Sequence, residues 1–332
     1  MNRLTKSELL NTVTSAIRES GWGYLYLSDD FPFDLEIYGR DERYRIRIYI
    51  WNITHGGGAA RPQDEYRIQI TSGVKQFIQP LNTKTLILGW YDELQVLAGW
   101  DYHLHSNPLG SSPSLQIHLS CLENASKSDF SACPKGNQEI AIAFRPELLV
   151  EYIRHLEALH SFGQSNPDLE ILEAVAADPY GVNDADIDLA SPERKQVVRT
   201  IQQKVRLSRF RSKVLQAYRY TCAFCGVQMN LVQAAHILPV ATPESVDRIY
   251  NGIAACYQHH ASYDQALITF DGQYQIHFND ERLEQLAAIQ RDAGSEDFQA
   301  QLRQELILPK NLADRPHIEY VNRANQLRGW KL

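Results

Sequence analysis

TCAFCGVQMNLVQAAHILPV, residues 221–240, and NGIAACYQHHASYDQALI, residues 251–268, place Cys222 and Cys225 in one C-x2-C knuckle and Cys256 and His259 in a C-x2-H knuckle. Three thiolates and an imidazole are the donor set of tetrahedral zinc. Four protein ligands leave no open coordination position, so the expected zinc is structural. The 30 residues between the knuckles exceed the loop of a simple zinc ribbon, and they carry His236 and Asn251. Three of the five cysteines fall in this one stretch, and no secretion signal is read at the start of the chain, which favours metal ligation over disulfides. Cys121 and Cys133 have no ligand pattern around them and read as ordinary thiols.

The segment from about residue 210 to 270, through FRSKVLQAYRYTCAFCG, AAHILP, NGIAACYQHH and SYDQALI, resembles the HNH endonuclease family with its ββα-metal fold. The resemblance implies a β-hairpin bearing His236, a loop containing Asn251 and a helix bearing His260. It implies metal-assisted hydrolysis of a phosphodiester, with His236 as general base, Asn251 bracing the loop that orients it, and His260 holding a catalytic divalent ion. The residue types suit those roles. A neutral imidazole accepts a proton from water near neutral pH. A divalent ion offsets the charge that develops on phosphate and leaving oxygen. Asp264 follows His260 by four residues, on the same helical face, and is the candidate oxygen ligand to that ion, Mg²⁺ or another divalent. In one respect the chain departs from the family pattern: Ala235 stands where many members carry an Asp ligand. His259 completes the zinc knuckle by spacing, and an exchange of roles with the adjacent His260 is the alternative.

Charge is distributed unevenly about a net of -7. Residues 166–190 hold seven acids and no base, whereas residues 191–332 hold 18 bases against 14 acids. Positive charge thus accompanies the segment that must approach phosphate. Between Arg194 and Lys213 lie eight cations and no acid, on an expected long helix or helix pair from Pro192 to Tyr220. Of these, Arg206, Arg209, Arg211 and Lys213 are the candidate backbone contacts, weighed against a simply solvated face.

The first half of the chain reads differently. An amphipathic helix is expected at 7–20, behind a capping Thr5 or Ser7, with Leu9, Leu10, Val13 and Ile17 on one side. Strand patterns follow, beginning with RYRIRIYI, where Arg43, Arg45 and Arg47 alternate with Tyr44, Ile46 and Ile48. Further runs at 66–71, 85–90, 95–102, 115–119 and 139–144 are separated by Gly, Pro and Ser clusters, and a helix starts near Pro146. The fold class is α+β: residues 1–163 a mixed domain with a mostly antiparallel sheet, 164–190 an acidic linker with one short helix at 169–177, 191–332 the HNH nuclease domain with a basic leading helix. The linker is also a candidate mask over the basic surface. Arg43, Arg45, Arg47 and Arg61 are candidate DNA contacts. Asn52 and His55 beside the triple glycine, with Trp51, Trp90, Trp100 and Tyr102, suggest either a pocket for a base or ordinary core packing.

The reading is therefore a restriction or anti-phage defence endonuclease acting on DNA, expected to be double-stranded, with residues 1–163 selecting a target that includes modified DNA. The alternatives are a signal-activated nonspecific DNase and a non-catalytic zinc-dependent DNA-binding protein. One site per chain and two strands to cut raise the expectation of a homodimer. No apolar run approaches the roughly 18–20 residues of a membrane span, and the expected location is cytoplasmic.

Overall fold

Thr5 starts the first element: its hydroxyl accepts from the Glu8 amide while the Glu8 carboxylate accepts from the Thr5 amide, a capping box that opens α1 (Lys6–Glu19). Leu9, Leu10, Val13 and Ile17 are buried along one side of it. The chain then runs through β1 (Gly23–Ser28), β2 (Phe33–Tyr38), β3 (Arg43–His55), β4 (Glu65–Gln69), β5 (Thr83–Tyr91), β6 (Val96–Trp100), β7 (Ser114–His118), α2 (Leu119–Ser128), β8 (Phe130–Gly136) and β9 (Glu139–Phe144). The computed structural model describes residues 3–56, 62–136, 138–188 and 190–332, so Arg61, Gly57 and Gly58 lie outside it.

These strands make one sheet in the order β1-β2-β3-β5-β6-β9-β8, with β4 pairing both β3 and β7. Only β3 and β5 run parallel among the pairings described. The mostly antiparallel α+β character expected of this half is observed. Because side chains alternate along a strand, Ile46, Ile48 and Ile50 enter a core with α1, while Tyr49, Trp51 and Ile53 enter a second core on the other face. β6 and β9 are buried on both faces, which is why they read as nearly unbroken apolar runs.

The helices after the sheet are α3 (Leu149–Arg154), α4 (Leu156–Ser161), α5 (Asn166–Ala177), α6 (Asp184–Ile187) and α7 (Pro192–Ala217). Much of the expected acidic linker is therefore helical. Leu169, Leu172, Val175 and Ile187 join the α1 core, and burying each such side chain is worth about 1.5–3 kcal/mol. The carboxylates of this stretch meet the start of α7. Asp168 is buried and bonded to Arg194, and Asp188 sits 3.3 Å from both Lys195 and Arg199.

Compactness divides the chain at 206/207, inside α7, rather than ahead of it. Val197, Val198, Ile201 and Val205 belong to the first unit's core, and Phe210, Val214 and Leu215 to the second's. The second unit contains β10 (Val232–His236), β11 (Gly252–Cys256), α8 (Tyr257–Asp264), β12 (Ile268–Phe270), β13 (Ile276–Phe278), α9 (Asp280–Ala287), α10 (Ser295–Ala300) and α11 (Ile318–Leu327). β10 and β11 pair antiparallel, with His236 opposite Gly252 and Val232 opposite Cys256. Among the described residues no helix is long and apolar enough to cross a membrane.

Candidate metal centre and nuclease site

The knuckles close on each other because β11 ends at Cys256 and α8 begins at Tyr257, so His259 comes round on the first turn of the helix. The first knuckle is a tight loop in which the Gly226 amide donates to Cys222 O at 2.9 Å and the Cys222 amide to Val227 O at 2.8 Å. Gly226 takes a φ of 85°, a left-handed conformation that favours glycine. The ligand atoms of Cys222, Cys225, Cys256 and His259 all lie within 4.8 Å of one another. His259 Nδ1 is 3.1 Å from Cys256 Sγ and 3.7 Å from Cys222 Sγ. Tetrahedral zinc bonds of about 2.3 Å to sulfur and about 2.0–2.1 Å to nitrogen place ligand atoms about 3.6–3.8 Å apart. The four residues therefore fit a zinc ion, and His259 rather than His260 completes the set. Burial pushes all three thiols up and the His259 imidazole down. Three thiolates in so small a buried space need a cation between them.

The ββα arrangement expected for this segment is present, with His236 ending β10 and His260 on α8. His236 is held on two sides. Its Nε2 lies 2.9 Å from Asp247 Oδ1, and its ring stacks on Phe210 at 3.8 Å between centroids and 11° between planes. Gly252 makes that stacking geometry accessible: a Cβ there would come within 2.4 Å of Val214 and 3.0 Å of Phe210. His260 is held the opposite way round. Its Nδ1 is 3.0 Å from Gln233 Oε1, and its Nε2 is 3.4 Å from Asp264 Oδ2.

Asn251 is fully buried just before β11, at the end of a short 3-10 turn. Its Oδ1 accepts from the Leu238 amide at 2.8 Å; its Nδ2 donates to Ser245 Oγ at 3.1 Å and Val246 O at 3.0 Å. Its own carbonyl accepts from the Ile237 amide at 2.9 Å. One side chain thus cinches both ends of the loop after β10. Arg328, from beyond α11, ties the two halves of the site together. Its guanidinium donates to Ile237 O at 2.9 Å, faces Asp264 at 3.9 Å and lies 4.2 Å over the Tyr263 ring.

Asp264 is more than half exposed, as an oxygen ligand open to water and phosphate must be. Two donor atoms 3.4 Å apart, one imidazole nitrogen and one carboxylate oxygen, suit neighbouring positions on one divalent ion. Gln233, Asp247, Phe210 and Arg328 were not singled out by their sequence context. The partners they make lie 27, 11, 26 and 91 positions away.

The candidate phosphate contacts divide by environment. Arg211 and Lys213 are exposed on α7, Arg209 is half-buried beside them, and Arg206 stacks over Tyr180 at 4.9 Å in the first unit. On the sheet, Arg47 makes a bidentate pair with Asp34 at 2.8 and 2.7 Å, Arg45 pairs with Glu36 at 3.2 Å, and Arg43 lies opposite Tyr38. The stripe is thus partnered by β2. Trp51, Trp90 and Trp100 are core residues whose indole N–H groups donate to Thr71, Asp92 and the Gln116 carbonyl. Asn52 is bonded through both amide atoms to the Leu4 backbone, at 3.0 and 2.8 Å.

A tight Cys3His cluster fit for zinc lies beside a β-hairpin and helix that present two oppositely oriented histidines, a ββα arrangement. Residues 222–271 match the family model for the HNH endonuclease, and residues 44–153 match that for methylase-associated X1. The C-terminal unit therefore carries an HNH endonuclease domain, and the protein is a nuclease, a phosphodiester hydrolase. No curated protein matches the chain. Among solved structures it is similar to the "Modification dependent TagI restriction endonuclease", at 10% identity and a TM-score of 0.30, over 84% of this chain and 81% of that one.

Proposed function

We propose that the protein is a metal-dependent DNA endonuclease of restriction type, in which residues 1–163 select the target and the HNH domain cuts it. The observation that carries this reading is the pair of imidazoles fixed in opposite senses, His236 against Asp247 and His260 beside Asp264. A scaffold that only binds DNA has no use for either arrangement. His236 takes a proton from the attacking water. His260 and Asp264 hold the catalytic ion, Mg²⁺ or another divalent, which when bound supplies positive charge against the phosphate and the departing oxygen. Arg211 and Lys213 hold the backbone in register without reading sequence. The match of residues 44–153 to a family described as methylase-associated supports a nuclease whose target depends on methylation.

The test is incubation of the protein with unmodified and cytosine-methylated plasmid, with Mg²⁺, Mn²⁺ or EDTA, alongside His236→Ala. Cleavage that follows the methylation state, needs the ion and disappears in His236→Ala is the expected result. Equal cleavage of all plasmids would replace target selection with nonspecific degradation. Binding without cleavage under every metal would leave only a zinc-dependent DNA-binding protein.

A further inference from the structure

We infer that Asp247 is a positioning residue that fixes the tautomer of His236. The inference rests on the reading of His236 as the general base.

A carboxylate accepts hydrogen bonds and cannot donate them. With Asp247 Oδ1 at 2.9 Å, the proton of a neutral His236 ring belongs on Nε2, and the basic lone pair then belongs to Nδ1. The stack against Phe210 covers one face of the ring and restricts its plane. Only one nitrogen, at one orientation, is left to accept a proton from water. When it does, the ring becomes a cation beside a carboxylate that is only about one-fifth exposed, and that charge is stabilised where it develops.

Asp247 reaches His236 by way of a loop, and loops of this length hold their ends together only when something ties them. The tie is Asn251. It binds the backbone at Leu238, two residues after His236, and at Val246, the residue before Asp247. The buried amide thus sets the separation between base and carboxylate while touching neither.

Three variants of the full chain, Asp247→Ala, Asp247→Asn and His236→Ala, test this on the plasmid that the wild type cuts, together with ¹⁵N NMR of protein labelled at histidine. The His236→Ala spectrum identifies the ring signals of His236. The expected wild-type pattern is the Nε2–H tautomer. Asp247→Ala loses that single tautomer and cuts roughly 10- to 100-fold more slowly at saturating DNA, with KM unchanged and zinc retained. Asp247→Asn, whose Oδ1 accepts the same N–H without changing side-chain volume, restores part of the rate. An Nδ1–H tautomer in the wild type overturns the inference and needs neither a cleavage assay nor a folded variant. So does a zinc-loaded Asp247→Ala that cuts within about twofold of wild type while His236→Ala is inactive. If His236→Ala itself cuts normally, the base assignment fails and the inference falls with it.

Discussion

His260 Nδ1 lies 3.0 Å from the amide oxygen of Gln233, so the ring proton is held by the strand and Nε2 is left facing Asp264. Ligands oriented in this way lose affinity when the orienting group is removed, commonly by about 10- to 100-fold. Gln233→Ala is therefore expected to raise the Mn²⁺ or Mg²⁺ concentration needed for half-maximal cleavage by about that factor, with the maximal rate largely recovered at high ion. An unchanged ion requirement would show that His260 does not hold the catalytic metal.

The four candidate zinc ligands sit in the second unit, where they bring its first knuckle against the start of α8. Metal binding at such a site is folding free energy. Removing zinc with a strong chelator, or replacing Cys256 by Ser, should melt the second unit while the sheet of the first persists. Zinc content, thermal melting and limited proteolysis read this together: a protease-resistant second unit without zinc would remove the staple from the account.

Cations on α7 differ in what already occupies them. Lys195 and Arg199 face Asp188, whereas Arg211 and Lys213 are exposed. Each cation that neutralises a phosphate contributes about 0.9 to the slope of log affinity against log salt. Arg211→Ala with Lys213→Ala should weaken binding to all DNA sequences and lower that slope by about 2. Lys195→Ala with Arg199→Ala should leave it nearly unchanged. Neutralising Asp184 and Asp188 releases those two cations; if the acidic segment acts as a mask, low-salt affinity should then rise, and an unchanged affinity would discard the mask.

Asp168 gives the first unit a pH signature. Burial opposes ionisation, but bonds from Arg194, Ser165 and the Ser191 amide outweigh it and hold the carboxyl below the ordinary aspartate range. A carboxyl depressed in the folded state adds stability that is present above its unfolded value of about 3.9 and is lost as pH falls through the folded value. Melting temperatures recorded downward from neutrality should drop more steeply below about pH 4 for the wild type than for Asp168→Asn. Parallel curves would mean the pair contributes nothing to acid sensitivity.

The two knuckles were legible from spacing and residue type, whereas His236, Asn251 and His260 were singled out by the resemblance of their segment to the HNH family. Asp247, Gln233 and Arg328 were not, because they act through contacts made by folding and no periodicity marks them. In the first unit, β3, β4 and β7 announced themselves by alternation, and β5, β6 and β9 by apolar runs between turn residues. β2 carried the same signal, with Phe33, Leu35 and Ile37 buried between Asp34 and Glu36, and was passed over amid the aromatic run before it. β8 was obscured by Pro134 and Gly136. The short helix expected at 169–177 within the acidic stretch 164–190 corresponds to α5 (Asn166–Ala177). Leu169, Leu172 and Val175 are the residues that fold it into the core. Likewise the acidic partners of Arg45 and Arg47 lie on the neighbouring strand, where the alternation of β3 alone does not show them.

The sharing of α7 has a consequence for descent. Its first half supplies four apolar residues to the first unit, and its second half supplies Phe210, the ring stacked on His236. A recombination that exchanged the first unit would strip one core if it fell before the helix, and the ring that supports His236 if it fell after it. The narrow stretch near 206/207 is the crossover that spares both sets of side chains. Lineages that exchange these halves should therefore carry their junctions within the helix, hidden in continuous secondary structure rather than in a loop.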